Sequence, residues 1–231
     1  MNRVRLVFYT VLIAIIPIGV VSCIRENGLL REAELLMETD PKAADSILFF
    51  MQEPTSRRDH AWYIVLKSLA DCKNDRIITS DSLIRTATDF FGSLHKNYRA
   101  AVAWYTHGCV YTHLGNDHSA IYAFLKAKDL FPDTLVHYYA LTEYKLGTRY
   151  QNMKMYNQAM DQLMYSRINA DRLKDTVTSY WANLMLFECA QQLGEEEVSN
   201  QFLNSILSRQ DYIHEIFSDD TLFDGTRLRY Y

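Results

Sequence analysis

From Leu29 onward, apolar residues recur every three or four positions, the spacing that gathers them on one face of an α-helix. Leu29, Ala33, Leu36 and Met37 begin the series. Asp40-Pro41 then supplies an N-cap and a first-turn proline, and Ala44, Ile47, Leu48 and Met51 continue as a partner helix. Trp62, Leu66, Leu69 and Ala70 predict a third helix. Ser80 or Asp81 caps a fourth, which carries Leu83, Ile84, Ala87 and Phe91. After Gln210 the pattern dissolves through Asp219-Asp220 and Asp224-Gly225 to Tyr230-Tyr231, so residues 209–231 read as a poorly ordered tail or part of an unfinished pair.

The middle of the chain repeats itself. Trp104, Gly108, Tyr111, Leu114, Gly115, Ala120, Phe124, Ala127 and Pro132 match the tetratricopeptide (TPR) pattern, W-x3-G-x2-Y in one helix and A-x3-F-x2-A in the next, closed by proline. The spacing has a mechanical meaning. Gly108 and Ala120 are small where two helices cross, Trp104 and Phe124 fill the space beside the crossing, and Pro132 stops the second helix. His107 stands where the family usually has Leu. A second unit begins 39 residues later with Leu146, Gly147, Tyr150, Tyr156, Ala159 and Leu163, against a usual period of about 34. A third is fainter: Trp181 to Leu193, Gly194 as the turn and Glu195 to Leu207, with Ser199 and Ile206 in place of two alanines. The resulting expectation is an all-α, right-handed superhelical solenoid of antiparallel, TPR-like helix pairs. Its expected divisions are N-terminal pairs over 23–97, full units at 98–133 and 137–171, and a degenerate unit at 174–208.

Residues 1–22 differ from the rest. Arg3 and Arg5 precede an uncharged run from Leu6 to Ser22, the layout of a bacterial signal peptide, and the run ends in Val20-Val21-Ser22-Cys23. Those last four residues resemble a lipobox, which implies cleavage before Cys23 and transfer of diacylglycerol to its thiol. Acylation with chains such as palmitate would then hold the terminus stably in a membrane. An uncleaved signal anchor is the alternative. Together with Leu35-Leu36-Met37-Glu38-Thr39-Asp40-Pro41 and Thr79-Ser80-Asp81-Ser82-Leu83-Ile84, the lipobox and the Gly108 and Ala120 repeats resemble the TPR lipoproteins of Bacteroidetes. That resemblance implies a cell-envelope protein, lipid-anchored to the outer or inner membrane and facing the periplasm or the exterior. Many relatives continue into a membrane helix and a cytoplasmic domain. The chain is therefore expected to be either a short extracytoplasmic member or the sensory part of a truncated transcriptional or signalling regulator.

Composition narrows the function. Gly 8 and Pro 4 in 231 residues are too few for the turns of an all-β fold. The formal charge of -4, which becomes -6 when Arg3 and Arg5 leave with the signal, offers no attraction for nucleic acid. Cys72, Cys109 and Cys189 lack the regular spacing of a disulfide framework and read as small buried thiols, although an oxidising compartment permits one pair. His107 and His113 lie about 240° apart around one helix, and neither HExxH nor CxxC occurs, so no metal or cofactor is expected. No G-x-S-x-G or glycine-rich phosphate loop occurs either, and the chain is expected not to be an enzyme.

The expected site is the concave groove of the solenoid, lined by the first helix of each pair and taking a peptide or partner protein. Its positions hold Tyr105, Cys109, Thr112 and His113 from one unit, and Leu141, Tyr144, Thr148 and Asn152 from the next. The Lys, Asn and Arg clamp that other TPR proteins use for acidic carboxy-terminal peptides is missing. Many of the 16 tyrosines, Tyr111 and Tyr150 among them, are expected in packing between helices.

Overall fold

The computed structural model describes residues 28–92, 96–132 and 136–208. The signal segment, Cys23 and the tail from 209 lie outside the described residues. Among those described, regular structure is entirely helical: residues 28–36 (α1), Pro41–Phe50 (α2), Arg57–Lys73 (α3), Ser82–Phe91 (α4), Tyr98–His113 (α5), Asp117–Leu130 (α6), His137–Asn152 (α7), Tyr156–Leu173 (α8), Thr176–Leu193 (α9) and Glu196–Leu207 (α10). None of these helices is long and apolar enough to cross a membrane.

The chain divides into two compact units, Met1–Ile77 and Ile78–Tyr231. In the first, Leu30, Ala33 and Met37 are buried along with Ala44 and Leu48 of α2 and with Trp62, Val65, Leu66 and Leu69 of α3. Asp40 caps α2 by accepting from the Ala43 N–H at 3.0 Å, with Pro41 at the first helical position. Charge is buried only where it is paired, as desolvation requires: Asp45 meets Lys67 at 2.9 Å and the Arg76 guanidinium, while Lys73 reaches Glu38 at 2.8 Å. The division falls between α3 and α4.

The second unit is a run of helix pairs, α5/α6, α7/α8 and α9/α10, with α4 packed on α5. Within each pair the connection is only a few residues long, which makes the two helices antiparallel neighbours. Gly115 and Gly194 turn the chain with φ of +70° and +75°, a left-handed conformation that costs glycine nothing. Each of the first two pairs is locked at one point. A Cβ on Gly108 would lie 2.5 Å from Phe124 Cε1, and one on Gly147 would lie 2.5 Å from Leu163 Cγ and 3.2 Å from the Ala159 carbonyl oxygen. Ala120, Ala127 and Ala159 are fully buried beside these crossings. Where Ala127 would recur stands Ser166, also fully buried, whose hydroxyl donates to the Ala140 carbonyl at 2.9 Å.

Successive pairs are joined by a continuous core and by bridging charges. Tyr144, Leu163, Trp181, Leu186, Cys189 and Phe202 form one apolar cluster drawn from α7, α8, α9 and α10. Glu143, almost wholly buried, accepts from Asn169 at 2.7 Å and from Lys128 at 3.2 Å, and so ties α7 to both α8 and α6. Burial pushes its carboxyl pKa up, against the opposing pull of Asn169 and Lys128.

Two substitutions test this packing by thermal unfolding. Gly147→Val drives a side chain into Leu163 and lowers stability by about 2 kcal/mol or more, roughly 4–8 °C in melting temperature; unchanged melting would contradict the crossing. Lys174, which ends α8 at φ 59°, carries a left-handed penalty that glycine removes. Lys174→Gly should therefore gain about 0.5–1 kcal/mol, and a loss would show that its side chain holds the helix end.

Candidate functional site

The expected groove residues divide into two groups. Tyr105 and Tyr144 are each 3% exposed, and Cys109 and Leu141 are also buried, so these four do not line an open groove. The reason lies in how tightly the first helices meet: α5 touches α7, and α7 touches α9. Tyr105 packs edge-on to Tyr138 of α7 at 5.2 Å and beside Phe124 at 5.9 Å, which makes it a rivet between repeats. Tyr144 sits inside the α7–α10 cluster, where burial and then the nearby Glu188 push its phenol pKa well above the usual range. Thr112, His113 and Thr148 are partly accessible and Asn152 is exposed. The two threonines turn their hydroxyls back on their own helices, to the Gly108 and Lys145 carbonyls at 3.0 and 2.9 Å. The accessible remainder of the expected site is thus the C-terminal ends of α5 and α7.

Among the described residues, Cys72, Cys109 and Cys189 are each buried as thiols, as their spacing suggested. For Cys189, burial with Glu188 beside it raises the thiol to about 11, too high for a reactive thiolate. Among the described residues, no group of three or more His, Cys, Asp or Glu side chains is arranged to hold a metal ion.

A second feature was not anticipated. Arg85, Thr88 and Asp89 of α4, Trp104, His107 and Tyr111 of α5, and Tyr122 with the first turn of α6 enclose an open cleft of about 360 Å³. Behind three of its residues, one oxygen of Asp81 accepts from their side chains: Arg85 at 2.6 Å, Tyr111 at 2.8 Å and His107 at 3.2 Å. These bonds, that from Arg85 foremost, hold the Asp81 carboxyl down at about 2. Its carboxylate is therefore not spent as a helix cap: Asp81 makes no such bond, and Ser80 accepts from the Ser82 N–H at 3.0 Å instead. Burial lowers the His107 pKa, outweighing the opposite pull of Asp81. The imidazole is thus neutral at pH 7. With its proton on Nε2 facing Asp81, Nδ1 accepts from Thr88 at 3.3 Å, sharing that hydroxyl proton with the Arg85 carbonyl at 3.0 Å.

Half of this cluster was visible in the chain. His107 departs from the repeat pattern at a helix-interior position, and Tyr111 follows it by one turn on the same face. The acid is 26 residues upstream, just before another helix, beyond the reach of any periodicity.

No protein-family model matches the chain, and no curated protein matches it. Solved structures do. The chain resembles the nearly identical TPR-like repeats of a Podosopora anserina protein described as a kinesin light chain. The TM-score is 0.59 at 12% identity, over 82% of this chain and 96% of that one. A single-substitution form of the same protein gives 0.60 at 11% identity, over 83% and 97%. At such identity the likeness concerns the fold: this chain has an all-α, TPR-like repeat architecture.

The cleft predicts an acid-sensitive unit. A depressed His107 leaves the unfolded chain with the greater proton affinity, so its share of stability is present above the unfolded value near 6.5 and falls as pH drops through the lower folded value. Asp81 adds a loss of the same sign from pH 3.8 down to about 2. Melting of the wild type should therefore fall more steeply between pH 7 and pH 5 than that of His107→Leu. Parallel curves would contradict the neutral, buried imidazole.

Proposed function

We propose that the chain is a lipid-anchored, non-enzymatic scaffold of the cell envelope, held by an acylated Cys23 and binding another protein through its helix-pair surface. The observation that supports this most is the stacking of the second unit. The same glycine-into-large-residue crossing recurs in consecutive pairs, and first helix meets first helix, an arrangement that turns short helices into an extended recognition surface. The TPR-like likeness supports the same reading. Within the groove set, Thr112, His113, Thr148 and Asn152 are the residues available to a partner, while Tyr105, Cys109, Leu141 and Tyr144 support them from beneath.

Site-specific photocrosslinking in cells tests the scaffold. A benzophenone side chain at Asn152 should yield adducts of discrete mass, absent when the probe replaces buried Leu186; a uniform smear or no adduct from Asn152 would refute it. The anchor is tested by fractionation. Cys23→Ala should leave the membrane fraction or persist as the uncleaved precursor, and membrane retention at the wild-type mass would overturn the lipid assignment.

A further inference from the structure

The α4–α5–α6 cleft carries more prearranged chemistry than helix packing requires. Trp104, His107 and Tyr111 form a ladder of near-parallel rings along α5, with centroids 5.6 and 4.4 Å apart and interplanar angles of 22° and 17°. Tyr122 of α6 stands at 81° to Trp104, 6.0 Å away, as a second wall. His107 is gripped at both ring nitrogens and Tyr111 at its hydroxyl, so the ladder is fixed before any ligand arrives and little ordering cost remains on binding. In contrast, Trp104 Nε1 and the Tyr122 hydroxyl make no hydrogen bond among the described residues, and Asp89 has no ion-pair partner there. Arg85 also lines the cleft, but its guanidinium is committed to Asp81, and Lys126 stands over the Tyr122 ring at 5.6 Å rather than on an acid, which leaves Asp89 as the lining charge without an ion pair among the described residues.

Aromatic walls, two open donors and an acid specify a ligand with flat apolar rings, carbonyls in need of donors and a neighbouring cation. A polyproline II segment has these features. Its carbonyls have no internal partners, its prolines bring no N–H that would need an acceptor, and its stiffness spares ordering entropy. The cleft volume lies at the small end of ligand sites and suits a short stretch of such a chain. We propose that this cleft binds a proline-rich segment of a partner protein that carries Lys or Arg beside its prolines, Trp104 and Tyr122 donating to its carbonyls and Asp89 pairing with its basic residue. This deepens the scaffold reading and rests on it.

The test is fluorescence anisotropy on the full chain in mild detergent. The probe is a fluorescein-labelled peptide of three Pro-Pro-Pro-Lys repeats; the controls are the same peptide with alanine for every proline and unlabelled maltohexaose. The proline peptide should bind about tenfold or more tighter than the alanine peptide. Trp104→Phe keeps a ring and removes the N–H, and should weaken binding about fivefold. Asp89→Asn should abolish the preference for Lys over Gln in the probe and flatten the salt dependence. Melting temperatures of both variants, measured alongside, should stay at the wild-type value. No binding by wild type, equal binding of the two peptides, or displacement of the probe by maltohexaose would overturn the assignment. If Asn152 adducts persist while the peptide fails to bind, the cleft assignment falls and the scaffold reading stands; loss of the adducts themselves removes both.

Discussion

Two helices can cross closely only where one of them gives up its side chain. At Gly108 the missing Cβ is the space that the Phe124 ring fills, and at Gly147 the same absence admits Leu163. This close approach lets the fully buried alanines 120, 127 and 159 serve as contact surface, and it sets each second helix against its first. Much else in the second unit follows from that distance. With the pairs drawn tight, their first helices touch one another, and side chains that a looser solenoid would show to solvent become internal. The glycines forgo helix propensity, about 1 kcal/mol each relative to alanine, and the ring or branched side chain packed against them offsets it.

The same tightness accounts for the change in the picture of the groove. A pattern of repeat positions assigns directions around a helix but not the distance to the next helix. Tyr105 and Tyr144 point where the pattern places them, and there they meet Tyr138 and the α7–α10 core rather than water. Some polar groups inside this packing are satisfied individually, Ser166 by the Ala140 carbonyl and Glu143 by Asn169 and Lys128, while the Thr106 hydroxyl and the Asn183 carbonyl oxygen are buried with no hydrogen-bond partner among the described residues; nearer the surface, His137 pairs with Asp175, the cap of α9, at 2.9 Å. Of the expected groove, the second unit leaves accessible the ends of α5 and α7, and elsewhere it opens the cleft where α4 joins the series. A single carboxylate, Asp81, organises an arginine, a histidine and a tyrosine of that cleft from two helices.

Helices and their crossings were legible because they are written locally. Asp40-Pro41 announces a cap three residues from the N–H it receives, and Gly108 and Phe124 belong to one pattern of fixed spacing. Buried thiols were legible from the lack of any regular cysteine spacing. The cleft was not, because its Asp81–His107 bond spans 26 residues and joins helices whose contact no period encodes. Even so, the substitution of His for an expected Leu at 107 was a sign of it: a polar ring in a helix interior needs partners, and its partners mark where another element arrives. Accessibility was the least legible property, since it depends on the sum of all neighbours rather than on any one spacing.

The central claim, that absence of a side chain at Gly108 and presence of a ring at Phe124 are one interaction, is tested most directly by a double-mutant cycle on equilibrium unfolding. Gly108→Ala in the wild-type background should destabilise, because the new Cβ meets the ring. In a Phe124→Ala background the same change should become neutral or stabilising, since the ring is gone and alanine is favoured over glycine in a helix by about 1 kcal/mol. A reversal of sign, with a coupling of roughly 1–3 kcal/mol, is the predicted result. Equal effects of Gly108→Ala in the two backgrounds would contradict the account.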